Sequence, residues 1–267
     1  MGNSLKITGG QVMIDIHSHL LPGVDDGAQT LEDSLAMARE AVSQGIDTIV
    51  ATPHHRNGKY TNPRLNVLYL VQELNFELER AEIPLTVLPG QEVRIHGDMI
   101  EELKEEVITP INIDSGYIFV ELPNDQVPNY TISMLFELQR AGYIPIIVHP
   151  ERNKKFIEDP NLLYQFVKSG AYTQVTAGSV AGKFGKSVQK FSHQLIEANL
   201  THVIASDAHD TKRRGFFMKE AMREIKKKYG ASYVYHFTEN AYYIINGQVV
   251  AADPPERIKQ KKFLKIF

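Results

Sequence analysis

The chain has 267 residues, 43% of them hydrophobic, and a formal net charge of −3. This charge argues against a general nucleic-acid binder, and the absence of cysteine excludes disulfides, zinc–thiolate sites and cysteine nucleophiles. No apolar run approaches the roughly 18 residues of a membrane span, and a chain without thiols fits a reducing, cytoplasmic compartment.

Residues 1–12 have the composition of a vector-derived leader ahead of a natural start at Met13. The remaining length fits one α/β barrel domain, which commonly needs about 250 residues. Because no low-complexity block or linker divides the chain, we expect a single domain over 13–250 and a basic, apolar tail over 251–267.

Apolar, strand-like runs alternate with amphipathic segments along the chain, which is the pattern of βα units and a mostly parallel sheet. The predicted strands are seven: 12–16, 47–51, 85–88, 117–121, 144–148, 172–175 and 202–205.

The helices are placed by their end signals. Thr30 and Asp33 form a capping pair at the start of the first helix, and Gly45 ends it. Proline marks the starts of two later helices, which run from near Pro128 to Gly142 and from Pro160 to Gly170. A final pair is expected over 217–229 and 239–245.

Two histidines, His17 and His19, stand at the end of the first predicted strand. Residues i and i+2 of a strand point to the same face, so both rings can reach one metal ion. Ionisable side chains also follow the later strands, namely His54, His55, Glu92, Glu121, His149, Asp207 and His209. In a parallel barrel the carboxyl ends of the strands form one rim. The pattern therefore predicts a metal site at this rim, the alternative being ordinary polar loop residues.

Histidine and carboxylate ligands without sulfur suit Mn²⁺, Fe²⁺ or Zn²⁺ better than Ca²⁺ or Mg²⁺ alone. The number of candidate ligands implies more than one ion, and Glu92 is the candidate bridge between ions about 3.5–4 Å apart. Metal-bound hydroxide would supply the nucleophile that a cysteine-free chain lacks.

Three arginines follow the candidate ligands closely. Arg152 comes three residues after His149, and Arg213 and Arg214 come shortly after His209. The guanidinium fork matches phosphoryl oxygens, so we favour phosphate contact for Arg152 and Arg214 over ordinary solvated charges. The segment 182–187 (GKFGKS) is similar to the end of a Walker A loop, but it lacks the required earlier glycine, which rejects a nucleotide-binding loop.

Taken together, these motifs resemble the PHP (polymerase and histidinol phosphatase) superfamily, and within it the manganese-dependent protein tyrosine phosphatases of bacterial capsule and exopolysaccharide systems. The resemblance covers Met13 to about Ile245. The motifs that carry it are Asp15-Ile16-His17-Ser18-His19, Val24-Asp25-Asp26-Gly27, Ala51-Thr52-Pro53-His54, Gly90-Gln91-Glu92, Val120-Glu121-Leu122-Pro123, His149-Pro150-Glu151-Arg152-Asn153 and Ala205-Ser206-Asp207-Ala208-His209. The family implies a distorted TIM-like barrel of about seven βα units and a trinuclear metal centre.

The resemblance also implies ligand sets for three Mn²⁺ ions, with Fe²⁺, Zn²⁺ or Co²⁺ as substitutes. They are His17, His19, Glu92 and Asp207 for the first, Glu92, Glu121 and His149 for the second, and Asp26, His54 and His209 for the third. In the Asp25–Asp26 pair either carboxylate could be turn-forming instead. Arg152 and Arg214 match the family's phosphate-binding arginines. Because Arg213 is adjacent to Arg214, it is the alternative candidate for the second of these positions. His55 either assists the leaving group or caps its loop.

The implied function is hydrolysis of phosphotyrosine on a bacterial tyrosine autokinase or a related protein, which would regulate capsular and exopolysaccharide synthesis. The nearest alternative is a small-molecule phosphomonoesterase such as histidinol-phosphate phosphatase. A non-enzymatic metal-binding regulatory domain would be marked by a missing ligand, and none is missing. No nucleic-acid partner is expected. The ending 257–267 predicts a frayed tail, or alternatively a contact with an anionic membrane or a partner kinase.

Overall fold

The computed structural model describes residues 13–258. These residues contain nine β-strands and ten α-helices. The strands are β1 Met13–Ser18, β2 Ile46–Ala51, β3 His54–His55, β4 Thr86–Pro89, β5 Glu92–Arg94, β6 Tyr117–Glu121, β7 Ile144–Val148, β8 Tyr172–Thr176 and β9 Val203–Ala205. The helices are α1 Leu31–Ser43, α2 Arg64–Arg80, α3 Met99–Lys104, α4 Thr131–Arg140, α5 Lys154–Glu158, α6 Pro160–Lys168, α7 Ala177–Val180, α8 Lys186–Glu197, α9 Met218–Tyr229 and α10 Ala231–Ile245, with a 3₁₀ turn at Pro150–Arg152.

All paired strands are parallel, in one sheet of order β1-β2-β4 and a second of order β3-β5-β6-β7-β8-β9. A bridge between Ser18 and Ala208 joins the end of β1 to the segment after β9. The backbone N–H of His19 donates to the carbonyl of Ala208 at 2.8 Å, and that of Asp207 to the carbonyl of His17 at 2.9 Å. The predicted α/β fold with parallel strands is confirmed, and the ends of the first and last strands lie side by side.

The seven predicted strands are all present, and two of them continue as short further strands, β3 and β5. Pro53 separates β2 from β3, where its missing N–H cannot join a ladder. Gly90 separates β4 from β5, and a Cβ there would lie 2.8 Å from Cγ1 of Val50. These breaks carry His54 and Glu92 past the ends of the longer strands, so the two side chains are paired neighbours across β3 and β5.

Alternation along β1 divides its side chains between two environments. Ile14 and Ile16 belong to an apolar cluster that includes Ala241 and Ile244 of α10, and α10 packs against β1 and β9. Asp15 and His17 point to the opposite face. The larger apolar cluster packs the other helices against the sheets.

The predicted helix signals are confirmed for α1, α4 and α6. The side chain of Thr30 accepts from the backbone of Asp33, and the Asp33 carboxylate accepts from the backbone of Thr30 in return. The last helix is longer than predicted, since α10 begins at Ala231 rather than Glu239. Its first half is rich in aromatic residues, and the sequence offers no clear helix-start signal before it.

The predicted leader, 1–12, and the tail residues 259–267 lie outside the described residues. Two residues of the predicted tail, Glu256 and Arg257, pack on the domain. The backbone N–H of Glu256 donates to the carbonyl of Ala198 at 2.8 Å, and the Arg257 guanidinium lies 4.5 Å from the ring centre of Tyr164. Between residues 13 and 258, no helix combines the length and the apolar character needed to cross a membrane.

Candidate metal centre

His17 and His19 are buried at the end of β1, and each ring is held by its Nδ1 atom. Nδ1 of His17 donates to Oε1 of Gln174 at 2.9 Å, and Nδ1 of His19 donates to Oδ2 of Asp25 at 2.7 Å. Such outer contacts fix the tautomer and direct Nε2 towards a metal ion. Neither Nε2 atom has a hydrogen-bond partner.

Several other buried polar atoms point into the same space without a hydrogen-bond partner. They are Nδ1 of His54, Nε2 of His209, Oε2 of Glu92 and Oδ1 of Asp207. Nδ1 of His54 lies 2.9 Å from Oε2 of Glu92, but this contact lacks the geometry of a hydrogen bond. Leaving one such atom unsatisfied costs about 1–3 kcal/mol, so a cluster of them is costly unless a cation binds there. The donor set fits the hard to borderline divalent ions predicted from the sequence.

Three groups of side chains have ligand atoms within 4.8 Å of one another and could each hold an ion. The groups are His17, His19, Glu92 and Asp207; His19, Asp26, His54 and His209; and His54, Glu92 and Glu121. The first contains the same residues as the first predicted ligand set, and the second adds His19 to the third predicted set. His149 lies outside the group with Glu92 and Glu121, although its Nε2 is 2.6 Å from Oε1 of Glu92.

Charges within the cluster shift the pKa values strongly. Burial opposes ionisation of Glu92 and Asp207, but the nearby cationic groups, His54 for the first and Arg152 for the second, hold both pKa values well below their usual range. Burial and the charge of Glu92 raise the pKa of Glu121 to about 7. Burial disfavours a charged His19, yet the Asp25 carboxylate keeps its pKa well above the usual value. A bound metal ion would displace such protons.

Asp25 and Asp26 have different surroundings in the loop after β1. Asp25 is buried, and its Oδ2 contacts His19 and accepts from the backbone N–H of His54 at 3.1 Å. Asp26 is partly exposed, with Oδ1 lying 3.4 Å from Nε2 of His54 and 3.5 Å from Nε2 of His209. The geometry therefore groups Asp26 with His54 and His209, whereas Asp25 holds the His19 ring.

A cleft of about 620 Å³ opens above the cluster. It is lined by Asp26, His54, Asn57, Glu92, Arg94, Glu121, Asn124, His149, Arg152, Lys154, Phe184 and Arg214. The Arg152 guanidinium pairs with Asp207, and that of Arg214 lies 3.3 Å from Asp26 and 3.6 Å from Asp207. Arg213 is exposed and does not line the cleft.

Arg94 lines this cleft and was missed by the sequence analysis. Its Nε and Nη2 donate to the two carboxylate oxygens of Glu121 at 3.0 and 2.8 Å. The missed signal is its position two residues after Glu92, which puts both side chains on one face of β5.

The structure does not bring His55 to the cleft, which removes the geometric basis for assistance to a leaving group. Consecutive residues of a strand point to opposite faces, so His55 is directed away from the cluster that His54 joins. Its Nε2 lies 3.2 Å from Oε2 of Glu102, and its Nδ1 accepts from the backbone N–H of Asn62 at 3.2 Å. The alternative, a structural role in its loop, agrees with these contacts.

Comparison with known protein families gives a match over residues 13–246 to the family described as capsular polysaccharide synthesis, CpsB/CapC. The tyrosine-protein phosphatase YwqE of Bacillus subtilis is 47% identical over 255 residues, which cover 96% of this chain and all of YwqE. The putative tyrosine-protein phosphatase CapC of Staphylococcus aureus is 37% identical, with 96% of this chain and all of CapC covered.

Solved structures agree with the sequence relatives. A crystal structure from a study of YwqE and of CpsB from Streptococcus pneumoniae, described as unique metal-dependent tyrosine phosphatases, superposes with a TM-score of 0.91 at 48% identity. It covers 93% of this chain and all of the other. A variant of the organophosphorus hydrolase from Deinococcus radiodurans has a TM-score of 0.55 at 14% identity over 88% of this chain and 93% of the other, which is a likeness of fold alone.

Proposed function

Because this chain belongs to the CpsB/CapC family of capsular polysaccharide synthesis, we propose that it is a metal-dependent protein tyrosine phosphatase. The relatives named above are tyrosine-protein phosphatases, and the family match spans residues 13–246, which supports a single phosphatase domain over 13–250. One observation carries the proposal, namely the cluster of histidine and carboxylate atoms without hydrogen-bond partners, with Arg152 and Arg214 beside it in one cleft.

The ion count and the metal are part of the proposal. We propose three Mn²⁺ ions, replaceable by Fe²⁺, Zn²⁺ or Co²⁺, held by His17, His19, Asp26, His54, Glu92, Glu121, His149, Asp207 and His209. When bound, such ions lower the pKa of a coordinated water and stabilise the attacking and leaving oxygens of an in-line displacement. Glu92 would contact more than one ion, since it belongs to two of the three groups.

The arginines would bind the phosphoryl group. Arg152 and Arg214 each face a carboxylate, Asp207 and Asp26, that a metal ion would neutralise on binding. Their guanidinium donors are then free to bind the non-bridging oxygens, which orients the phosphoryl group and stabilises its charge. The leaving tyrosinate, whose conjugate acid has a pKa of about 10, needs less proton assistance than a serine alkoxide.

The substrate would be phosphotyrosine in a protein segment that enters the open cleft. We propose a bacterial tyrosine autokinase or a related protein as this substrate, with regulation of capsular or exopolysaccharide synthesis as the outcome. A cytoplasmic location belongs to the same proposal, and a chain without cysteine is compatible with it. We also propose that the tail, 251–267, contacts a partner kinase or an anionic membrane.

The test compares matched phosphotyrosine and phosphoserine peptides with histidinol phosphate, using Mn²⁺-loaded protein. The proposal expects the highest kcat/KM for the phosphotyrosine peptide, complete loss of activity on chelation, recovery with Mn²⁺, and no effect of thiol alkylation. Equal values for the two peptides, or a higher value for histidinol phosphate, would instead support a small-molecule phosphomonoesterase. Activity that survives exhaustive chelation would refute the metal mechanism.

A further inference from the structure

We propose that Phe184 forms the wall of a subsite for the aromatic ring of the substrate, and that this side chain selects aryl over alkyl phosphates. The inference rests on the proposed phosphatase function and adds a specificity-determining residue to it. Phe184 lies in the GKFGKS segment, residues 182–187, between α7 and α8.

Phe184 differs in chemistry from the rest of the cleft. Within residues 13–258, every other side chain that lines the cleft is charged or carries an amide or imidazole group. Polar and charged groups bind a phosphoryl group, whereas Phe184 is the one cleft-lining residue among 13–258 whose side chain offers an entirely apolar surface to a phenyl ring. Phe184 is partly exposed and provides such a surface.

The ring of Phe184 is adjacent to a proposed phosphate-binding group. The Arg152 guanidinium carbon lies 5.9 Å from the centre of the Phe184 ring. In phosphotyrosine the phenyl ring is bonded to the phosphoryl group through one oxygen atom, so the two groups are also close neighbours. A phosphoryl group bound by Arg152 would therefore place its aryl ring beside Phe184, where offset or edge-to-face packing is favourable.

Backbone and packing contacts define the position of Phe184. Glycines allow positive φ values on both sides, +77° at Gly182 and +96° at Gly185, and the N–H of Lys183 donates to the carbonyl of Gly178 at 2.9 Å. The ring edge also packs against Gly178, where a Cβ would lie 3.0 Å from the Phe184 ring. A side chain that is already held by such contacts loses less entropy when the substrate binds than a side chain without them.

Another aromatic residue near the cluster is a weaker candidate. The Tyr60 ring stacks on His54, with centroids 6.2 Å apart and an interplanar angle of 6°, and Tyr60 is not among the cleft-lining side chains. The ring contacts His54, and Nζ of Lys59 lies 4.7 Å from its centre.

The experiment measures the affinity of Mn²⁺-loaded protein for two non-hydrolysable ligands, phenylphosphonate and methylphosphonate. In Phe184→Leu we expect the dissociation constant of phenylphosphonate to rise about three- to tenfold, while that of methylphosphonate changes less than about twofold. Phe184→Tyr, which keeps the ring, should restore the wild-type preference. Phe136→Leu, the same substitution at an exposed site on α4, is the matched control and should change neither constant.

The outcomes separate this inference from the proposed function. Equal weakening of both ligands in Phe184→Leu would mean that Phe184 only positions Arg152, and would overturn the subsite. If that variant does not fold, the wild-type protein decides, because equal affinity for the two phosphonates also overturns the subsite. A phenyl preference that depends on Phe184, in a protein that does not hydrolyse phosphotyrosine, would support the subsite and reject the phosphatase function.

Discussion

Neighbouring residues of the same type have different roles in this chain. Asp26 faces the candidate metal groups while Asp25 orients His19, and His54 joins the cluster while His55 binds Glu102 on the other side of β3. The sequence predicts the residue types at the strand ends, because a strand period of two and the rim of a parallel barrel are general properties. It does not separate the two members of such a pair in a loop, where the direction of each side chain depends on the turn.

The arginine pair after β9 gives a direct test at this scale. Arg214→Ala, like Arg152→Ala, should lower kcat/KM by about two orders of magnitude, the usual cost of removing one charged transition-state contact. Thermal stability of the Mn²⁺-loaded proteins should hardly change, because the bound ions would then neutralise Asp207 and Asp26. Arg213→Ala is the matched control, and its steady-state kinetics should stay near wild type because the side chain lies outside the cleft. A strong defect in Arg213→Ala with normal Arg214→Ala would reverse the assignment.

Glu92 belongs to two of the candidate ligand groups, so its loss should affect more than one ion. Glu92→Gln is expected to lower the bound Mn²⁺ by more than one equivalent, measured by elemental analysis after gel filtration. Glu102→Gln serves as the control, since Glu102 is also a buried carboxylate beside histidines but stands outside these groups. Unchanged metal content in Glu92→Gln would contradict the bridging role.

His202 connects residue chemistry to the stability of the domain. Burial, and then the charge of His236, lower the pKa of His202 to about 3, and its Nδ1 accepts from the backbone N–H of Thr173 at 3.1 Å. In the unfolded chain this histidine takes up a proton near its usual pKa of 6.5, whereas in the folded chain it stays neutral down to about pH 3. The stability that the folded state gains from a neutral His202 is therefore complete above pH 6.5 and is lost as the pH falls towards 3.

In His202→Asn, which keeps an acceptor for Thr173 but cannot titrate, urea unfolding should show a shallower loss of stability between these pH values. The difference in slope from wild type should be about 1.4 kcal/mol per pH unit. The metal ligands titrate in both proteins and cancel in the comparison. Parallel pH profiles for the two proteins would refute the assigned protonation of His202.

At the scale of elements, strand existence was predictable and strand breaks were not. The seven apolar runs identify the longer strands, but β3 and β5 consist of two and three residues and are mostly polar. Their pairing comes from tertiary contacts that no local pattern encodes. Missing β5 is also the reason why Arg94 was missed, because its alignment with Glu92 is visible only once both are placed on a strand.

The loop after β1 depends on a close approach that only glycine permits. A Cβ on Gly27 would lie 2.1 Å from the carbonyl oxygen of His19, and the N–H of Ala28 donates to that same oxygen at 3.1 Å. Gly27→Ala should therefore displace the loop that carries Asp25 and Asp26. We expect a loss of at least about 1–3 kcal/mol in the free energy of unfolding, together with a loss of bound metal.

Gly97→Ala is the control for this change. A Cβ at Gly97 meets nothing within 4 Å, and this substitution should leave both stability and metal content close to wild type. Retention of all bound metal in a folded Gly27→Ala protein would show that the loop does not contribute a ligand.

At the scale of the whole molecule, a chain with net charge −3 brings three arginines and one lysine to a cleft that is also lined by three carboxylates. The fold achieves this by placing the ends of successive parallel strands side by side, so residues far apart in sequence, such as Asp26 and Arg214, meet at 3.3 Å. Net charge could be read from composition, whereas this local concentration depends on the order of the strands. The sequence predicted the rim that bears the site but not the shape of its cleft.

Lys154 gives this charge distribution a measurable consequence. Arg94, Arg152 and Arg214 each pair with a carboxylate, whereas Lys154 is exposed and has no ion-pair partner among residues 13–258. It is therefore available to an acidic residue beside the phosphotyrosine.

Lys154→Glu should lower kcat/KM for a peptide with acidic flanks by about two- to fivefold and leave the value for a neutral peptide nearly unchanged. The wild-type preference for acidic flanks should weaken as the salt concentration rises. Lys168→Glu, an exposed charge reversal in the last turn of α6, should not alter the preference. Equal effects of the two substitutions, or a preference that does not respond to salt, would show that Lys154 contributes no specific contact and that the cleft selects its substrate through the phosphoryl group and the ring.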